Sequence, residues 1–451
     1  MLYYSNTAVF GKKHNIRGIG IVKEIKVGII GFGTVGAGTV ENLLANADVI
    51  AKRTGVRVVL HKVADLDITT DRGVAVPPGV LTTDAAEAIR ECDLVVELVG
   101  GTTFAKKFIL DAIRAGKPVV TANKALLALH GEEIFAAAEA AGVDVCYEAS
   151  VAGGIPILKA LREGLVSNRI RRIYGILNGT CNYILTRMER EGADFSTVLA
   201  DAQKLGYAEA NPSLDIDGFD TAHKTAILAA LAFGKWFGLD PVHVEGIRDL
   251  ELDDLRYADE LGYRIKLLSI IKSVEGQVEM RVHPTLIPKS TLLAGISDVF
   301  NGVLVEGDTV GQTLFYGRGA GRRATASAVA ADITDAAINL AVGSVRRIPA
   351  FREGALFDKV RPMEEVSSRY YLRMQVKDCP GVIAAIAQIL AGKSISISSL
   401  IQPEKRSADG AVPLVLLTHP ARESAMHPAL AELATLSASR RPVKLLRIED
   451  I

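Results

Sequence analysis

Cysteine is scarce in this chain. The four that occur, Cys92, Cys146, Cys181 and Cys379, lie far apart with no C-x-x-C pair, a pattern that argues against a zinc site or a disulfide framework and fits a reducing cytoplasm. Net charge is absent too: 52 Lys and Arg offset 52 Asp and Glu. That balance offers no electrostatic footprint for nucleic acid or an anionic membrane, so the expected partner is a small molecule. No apolar run is long enough to span a bilayer, since Lys224 and Lys235 bracket the most apolar helical stretch. Acids are missing from residues 1–23, which carry Lys12, Lys13, Arg17 and Lys23. This segment lacks an apolar h-region and a cleavage site, so residues 1–24 are read as an N-terminal extension, with a transit peptide as the lesser alternative.

What the chain does have is length and apolar content: 451 residues, 49% hydrophobic, enough for two or three domains with large cores. Residues 26–30 (KVGII) form an apolar strand followed by Gly31-Phe32-Gly33-Thr34-Val35-Gly36 and a helical stretch through Leu44. This is G-x-G-x-x-G in the strand-turn-helix setting its mechanism needs. Gly31 permits the tight turn, Gly33 lets the backbone approach a pyrophosphate, and Gly36 lets helix and strand pack closely. A second strand, 56–64, ends at Asp65, later than usual because of a helix-loop over 45–55. An acid there accepts hydrogen bonds from a ribose 2'-OH and repels a 2'-phosphate, which tilts the cofactor towards NAD. Lys62 would offset that tilt. Further strands at 94–98, 118–121 and 143–148 alternate with helices, implying a parallel, doubly wound sheet over residues 25–150. Gly101, Thr102 and Lys124 fall at the carboxyl ends of its strands, where ligands bind.

After Val151-Ala152-Gly153-Gly154-Ile155-Pro156 the chain enters a long helix and a strand, 170–177, that ends in Asn178-Gly179-Thr180-Cys181-Asn182. Residues 202–224 (AQKLGYAEANPSLDIDGFDTAHK) then hold Glu209, Asp215, Asp217 and Asp220 among turn formers. The first of these carboxylates are expected on a loop and Phe219 onward on a helix. Asp220 and Lys224, four residues apart, share a helix face. Taken alone, they read as a surface ion pair.

The spacing of Ala202, Gly206, Tyr207, Asn211-Pro212, Asp215, Gly218, Asp220 and Lys224 resembles the signature of the homoserine dehydrogenase family. The likeness extends to GFGTVG (31–36), TANKALL (121–127), EASVAGGIP (148–156), LNGTCNYIL (177–185) and GRGAGRRATASAVAADI (317–333). It implies a reversible NAD(P)-dependent reduction of L-aspartate 4-semialdehyde to L-homoserine, on the route to threonine and methionine. By the family pattern Glu209 and Asp215 hold the substrate amine, with Tyr207, Gly206 and Thr180 beside it. Lys224 donates the proton, Asp220 orients it, and Lys124 lies between cofactor and substrate. The resemblance also implies a monovalent cation, sodium, held at Glu148, Val151, Gly153 and Ile155, mostly through backbone carbonyls. It brings Gly321 to the nicotinamide end, and packs the helix at 325–342 on the first domain. Many relatives end the second strand in Arg-Asp where this chain has Ala64-Asp65, so NAD or dual use is expected over NADP.

The catalytic and dimerisation domain is assigned to residues 151–344, of α+β type, with a linker over 345–368. The remaining 369–451 read as strand 370–376, helix 382–391, strands 395–402 and 412–418, helix 428–436 and strand 443–448. This βαββαβ order is ferredoxin-like, and Asp378-Cys379-Pro380-Gly381-Val382 at its first turn makes it resemble an ACT domain. The resemblance implies threonine as an effector, with a dimerising lobe that binds no ligand as the equal alternative, and the family implies a homodimer or homotetramer. Two other functions are weighed. A phosphorylating semialdehyde dehydrogenase would need a nucleophilic cysteine, for which Cys181 is the candidate; a non-catalytic amino-acid sensor would have no need of Lys124, Glu209, Asp220 and Lys224.

Overall fold

In the computed structural model, residues 23–344, 347, 357, 359–403 and 410–451 are described. Nearly all of the expected 1–24 extension and about half of the expected linker lie outside them. A six-stranded parallel sheet begins with Lys23–Ile30, whose Val27, Ile29 and Ile30 are buried. It runs in the order Leu81–Thr82, Val56–Ala64, Lys23–Ile30, Leu94–Glu97, Val119–Thr121, Val145–Cys146, which is the doubly wound dinucleotide arrangement. Its chain-order reversal beside the first strand opens the crevice over the glycine turn.

Two local expectations are corrected. The glycine-turn helix runs over Thr34–Thr54 rather than loosening after residue 44. Lys52 pairs with Asp48 one turn back, and Lys52 and Arg53 complement the negative helix end, until Gly55 stops the helix in a left-handed conformation. The strand expected at 143–148 shrinks to Val145–Cys146, because Glu148–Ser150 turns into a 3-10 helix. Helix Arg322–Val342 returns to this domain as expected, starting three residues early. Its Val329, Ile333 and Ala336 share a core with Val27, Ile29 and Val40. Close approach is possible because Gly38 has no Cβ, which would stand 2.7 Å from the Arg322 carbonyl oxygen.

The rest of the chain builds one 11-stranded sheet. One half holds Gly311–Arg318, Phe300–Gly307, Ile170–Ile176, Tyr263–Val274 and Gln277–Pro288 side by side. The last two form a long hairpin turning at Glu275 and Gly276, both with positive φ (50° and 78°), the backbone that a tight two-residue hairpin requires. Helix Phe219–Phe233 lies against this hairpin and is buried from Asp220 through Ala230. Burying Ile227, Leu228 and Phe233 contributes about 1.5–3 kcal/mol each, which holds this polar-faced helix inside the molecule.

The C-terminal unit has the expected βαββαβ order: Ser367–Lys377, Val382–Gly392, Ile397–Ile401, Ala411–Thr418, Glu423–Thr435 and Lys444–Ile448. Its four main strands stand in the order fourth, first, third, second. The unit is not an appended bead. Its last strand pairs in parallel with Gln277–Pro288, Thr285 opposite Arg447 and Leu286 opposite Ile448. Nearby, Arg373 makes a bidentate bond to buried Asp254, with Nε to Oδ1 at 2.7 Å and Nη2 to Oδ2 at 3.1 Å.

Candidate active site

The glycine turn shows three distinct requirements. Gly31 has φ of 106°, and a Cβ there would stand 2.5 Å from the Leu98 carbonyl; a Cβ on Gly36 would stand 2.0 Å from the Gly31 oxygen. At Gly33, by contrast, a Cβ would meet nothing within 4 Å. Gly31 and Gly36 are therefore required by packing, and Gly33 borders open space at the first turn of a helix with no side-chain cap. Its unpaired N–H groups and positive end suit a pyrophosphate. Thr34 is exposed and Val35 half-buried at the same rim, while the Phe32 ring is spent on the core. Asp65 stands where expected: the Phe32 N–H donates to its Oδ2 at 2.5 Å, and the Asp67 N–H to Oδ1 at 3.0 Å. Lys62 is drawn away to Glu87, at 2.5 Å, and Glu91, so it does not offset the acid.

Across the crevice, Gly100 and Gly101 take left-handed turns, with Thr102 at the start of helix Thr103–Arg114. Asn123 caps helix Lys124–Ala141 by accepting from the Leu126 N–H and donates to the Gly101 carbonyl at 2.7 Å. The Asn123 cap thus coexists with Lys124 facing the site. Lys124 is the first residue of its helix, a place where a positive charge is disfavoured by the dipole. Its Nζ stands 3.1 Å from Asp220 Oδ1.

The surface-pair reading of Asp220 and Lys224 is overturned, since they are only 6% and 8% exposed. Lys224 Nζ donates to Asp220 Oδ2 at 2.7 Å and to the Leu177 carbonyl at 2.6 Å. Two of the ammonium's three donor directions are taken by described residues, and the third remains for an incoming oxygen. Asn178, which caps helix Gly179–Glu191 through its Oδ1, donates from Nδ2 to both Asp215 Oδ1 (2.7 Å) and Asp220 Oδ2 (2.8 Å). Asp215 sits on a short helix, Ser213–Ile216, rather than on the expected loop. Pro212 opens that turn with φ already near the helical value, and the Asp215 and Ile216 N–H groups bond back to its carbonyl.

Electrostatics separates the carboxylates. Burial raises Asp220, but Lys224 and Lys124 outweigh it and hold the group well below the usual carboxylate range. Burial also pushes Lys224 down, against the pull of Asp220. Asp215 is raised, mainly by burial and against the Asn178 hydrogen bond, so an arriving ammonium would be its missing counter-charge. Thr180 Oγ1 donates to the Tyr207 carbonyl at 2.7 Å, tying the NGTCN turn to the exposed Gly206-Tyr207 segment. Glu209 is exposed, and its backbone carbonyl accepts from Gln203.

At the junction, both carboxylate oxygens of Glu148 are taken by the Leu158 and Lys159 N–H groups, at 2.8 and 2.7 Å. A cation there would be left with main-chain carbonyls of Glu148, Val151, Gly153 and Ile155. Ala152 and Gly153 both take positive φ, 55° and 51°, and the Gly154 N–H donates to Arg318 O in the GRGAG turn. Gly321 itself is exposed, with φ of 116° and open space around it.

Sequence reasoning missed Asn178 and Glu97. The first stands at a strand end, where Asn before a helical stretch is itself a cap signal. Glu97, fully buried at a strand end, accepts from the Thr121 hydroxyl at 2.7 Å and the Val99 N–H at 2.8 Å, fixing the two crevice loops to each other. Cys181 is ruled out as a nucleophile. It is fully buried, donates to the Asp215 carbonyl, and burial raises its thiol well above the usual value, whereas attack requires an accessible thiolate.

Residues 31–148 match the family described as "Homoserine dehydrogenase, NAD binding domain" and residues 156–334 match "Homoserine dehydrogenase". The chain is 47% identical to a homoserine dehydrogenase of Pseudomonas aeruginosa, over 95% of this chain and 100% of the relative. It is 45% identical to one of Neisseria gonorrhoeae, again over 95% and 100%. A crystal structure of a homoserine dehydrogenase from Thiobacillus denitrificans superimposes with a TM-score of 0.89 at 47% identity, covering 95% of this chain and 99% of that one.

Proposed function

Since the chain belongs to the homoserine dehydrogenase family and is an NAD(P)-dependent oxidoreductase, we propose that Lys224, Asp220 and Lys124 carry its proton chemistry and that Asp215 and Glu209 receive the substrate amine. The observation that carries this reading is the buried Lys224–Asp220–Asn178–Asp215 chain, with Lys124 on its cofactor side. The open rim at Gly33 fits a dinucleotide, and its nicotinamide, when bound, supplies or accepts the hydride. In the direction of aldehyde reduction, the protonated Lys224 gives its free N–H to the carbonyl oxygen. Asp220 holds the ammonium in place and keeps it cationic against burial, and Lys124 adds positive charge where the oxyanion develops. Asp215 and Glu209 anchor the amine. The Gly179 and Thr180 N–H groups, in the first turn of the helix that Asn178 caps, suit the substrate carboxylate, with Tyr207 and Gly206 alongside. Formation of reduced nicotinamide with homoserine tests the reading. Turnover that is absent with homoserine and with aspartate semialdehyde would overturn it.

Asp65 favours NAD or dual use, and a strong NADP preference in kcat/KM would refute that assignment. A sodium ion is assigned to the main-chain carbonyls of Glu148, Val151, Gly153 and Ile155, supported by the buried left-handed turn at Ala152 and Gly153, a conformation that costs a non-glycine residue energy. We assign threonine as effector of the ACT-like unit, whose Gly381 turn has positive φ at the head of helix Val382–Gly392. Calorimetry showing no threonine binding would remove it. Free, unpaired cysteines and the lack of a membrane-crossing helix among described residues support a cytoplasmic enzyme. The open edge strand Gly311–Arg318 supports a homodimer or homotetramer.

A further inference from the structure

We infer that Glu245 and Arg447 are positioning residues for the substrate loop, which makes the C-terminal unit part of the active site's support. The inference rests on Asp215, Asp220 and Lys224 forming the substrate site.

The segment 243–248 passes directly beneath the short helix and turn that carry Asp215 and lead into Asp220. A Cβ on Gly246 would stand 2.2 Å from the Ile216 oxygen and 2.5 Å from Asp217 Cα. A Cβ on Gly218 would stand 3.0 Å from Val244 and 3.2 Å from the Glu245 carbonyl. The Ile247 N–H donates to the Ile216 carbonyl at 2.7 Å. This fit leaves no slack, so a shift of the segment must move the loop.

The segment's own position is set from the other side. The Glu245 N–H donates to Val282 O at 2.7 Å, placing it beside the seam strand. Its carboxylate bridges His243 Nε2 (2.8 Å, from Oε1) and Arg447 Nη1 (2.9 Å, from Oε2). Arg447 belongs to the last strand of the C-terminal unit, is 1% exposed, and is clamped by Glu423 through Nε and Nη2. The route from the C-terminal core to Asp215 is therefore Glu423, Arg447, Glu245, Gly246, Ile216, each step a hydrogen bond, a chain link or a contact without clearance. Arg248 also grips Asp217 through two bonds of 2.9 Å, but that pair is solvent-exposed and worth little.

The test is Glu245→Gln, which keeps the shape and removes the charge-assisted bond, with Asp217→Asn as the exposed control. The expected result for Glu245→Gln is a rise of roughly three- to tenfold in KM for homoserine, the size of a weakened charge-assisted hydrogen bond. KM for the cofactor and the melting temperature stay near wild type, and Asp217→Asn moves KM less than about twofold. Arg447→Lys, which keeps a cation near Glu245, gives an intermediate KM. Hydrogen exchange over residues 213–218 accelerates in Glu245→Gln and slows towards wild type when the charge is retained. An unchanged homoserine KM, or a rise matched by an equal rise for the cofactor, overturns the inference. The exchange arm needs no turnover: unchanged exchange overturns the inference whatever the substrate proves to be, while inactivity of the wild type towards homoserine counts against the functional reading alone.

Discussion

Replacing Lys224 by Met removes the ammonium while keeping most of the buried stem. The loss of two hydrogen bonds, to Asp220 Oδ2 and the Leu177 carbonyl, would ordinarily strand a buried carboxylate at a cost of about 3–5 kcal/mol. Here Asp220 retains Lys124 at 3.1 Å and Asn178 at 2.8 Å, so the stability cost is expected nearer 1–3 kcal/mol and the protein folds. Turnover is another matter. A positioned proton donor contributes about 10²–10⁴ in rate, so kcat should fall by roughly a thousandfold, about 4 kcal/mol of barrier. Cofactor affinity should hold, because the glycine turn is built on separate elements. The pH profile gives a second readout. Homoserine oxidation needs the neutral amine to receive the alcohol proton, and burial sets Lys224 below the usual lysine value of 10.5. The wild-type oxidation rate should therefore rise with pH through a limb below that value, and the limb should vanish in Lys224→Met. Stopped-flow turnover with cofactor titration checks both. A kcat within tenfold of wild type, or a persisting limb, would refute the assignment of Lys224 as proton carrier.

Gly33→Ala should leave the unliganded fold intact and raise the cofactor KM at least tenfold, since the new methyl enters the open rim. Gly36→Ala should instead destabilise by about 1–3 kcal/mol, because its Cβ would stand 2.0 Å from the Gly31 oxygen; equal melting temperatures for the two variants would contradict the division of roles. Lys266 is buried against Asn182 Oδ1 and the Ile296 carbonyl, and burial pushes it down to about 8. Between about pH 8 and 10.5 the unfolded chain holds a proton the folded chain does not, so this group's contribution to stability rises with pH, by up to about 3 kcal/mol in total. Chemical unfolding of wild type and Lys266→Met should diverge in that direction, and parallel curves would refute it.

The dinucleotide domain was legible because its signals are local: an apolar strand, glycines at fixed offsets, and alternating elements. The mixed sheet was not. In Tyr263–Val274, residues 265–271 are all buried, so the two-residue alternation of a half-exposed strand is lost, and buried Lys266 and Ser269 interrupt the apolar run. The same masking hides Gln277–Pro288, which buries Arg281 and His283. Within the site, Lys124, Asp220 and Lys224 were found by motif, and the burial of the last two came only from the packing of helix Phe219–Phe233. Glu245 and Arg447 are 202 residues apart. Nothing near either one signals the other, so their pairing emerges only once the sheet closes.

The shared strand seam changes how this protein can be dissected. Cutting away the C-terminal unit would bare the Thr285–Leu286 end of Gln277–Pro288, including the Leu286 carbonyl that now accepts from the Glu449 N–H at 3.0 Å. It would also take Glu449 from buried Arg281. An unpaired edge beside a buried arginine that has lost one of its two carboxylate partners is a template for association with other chains. A shortened enzyme would sooner aggregate than fold as a free-standing core, unless that edge were redesigned with the cut.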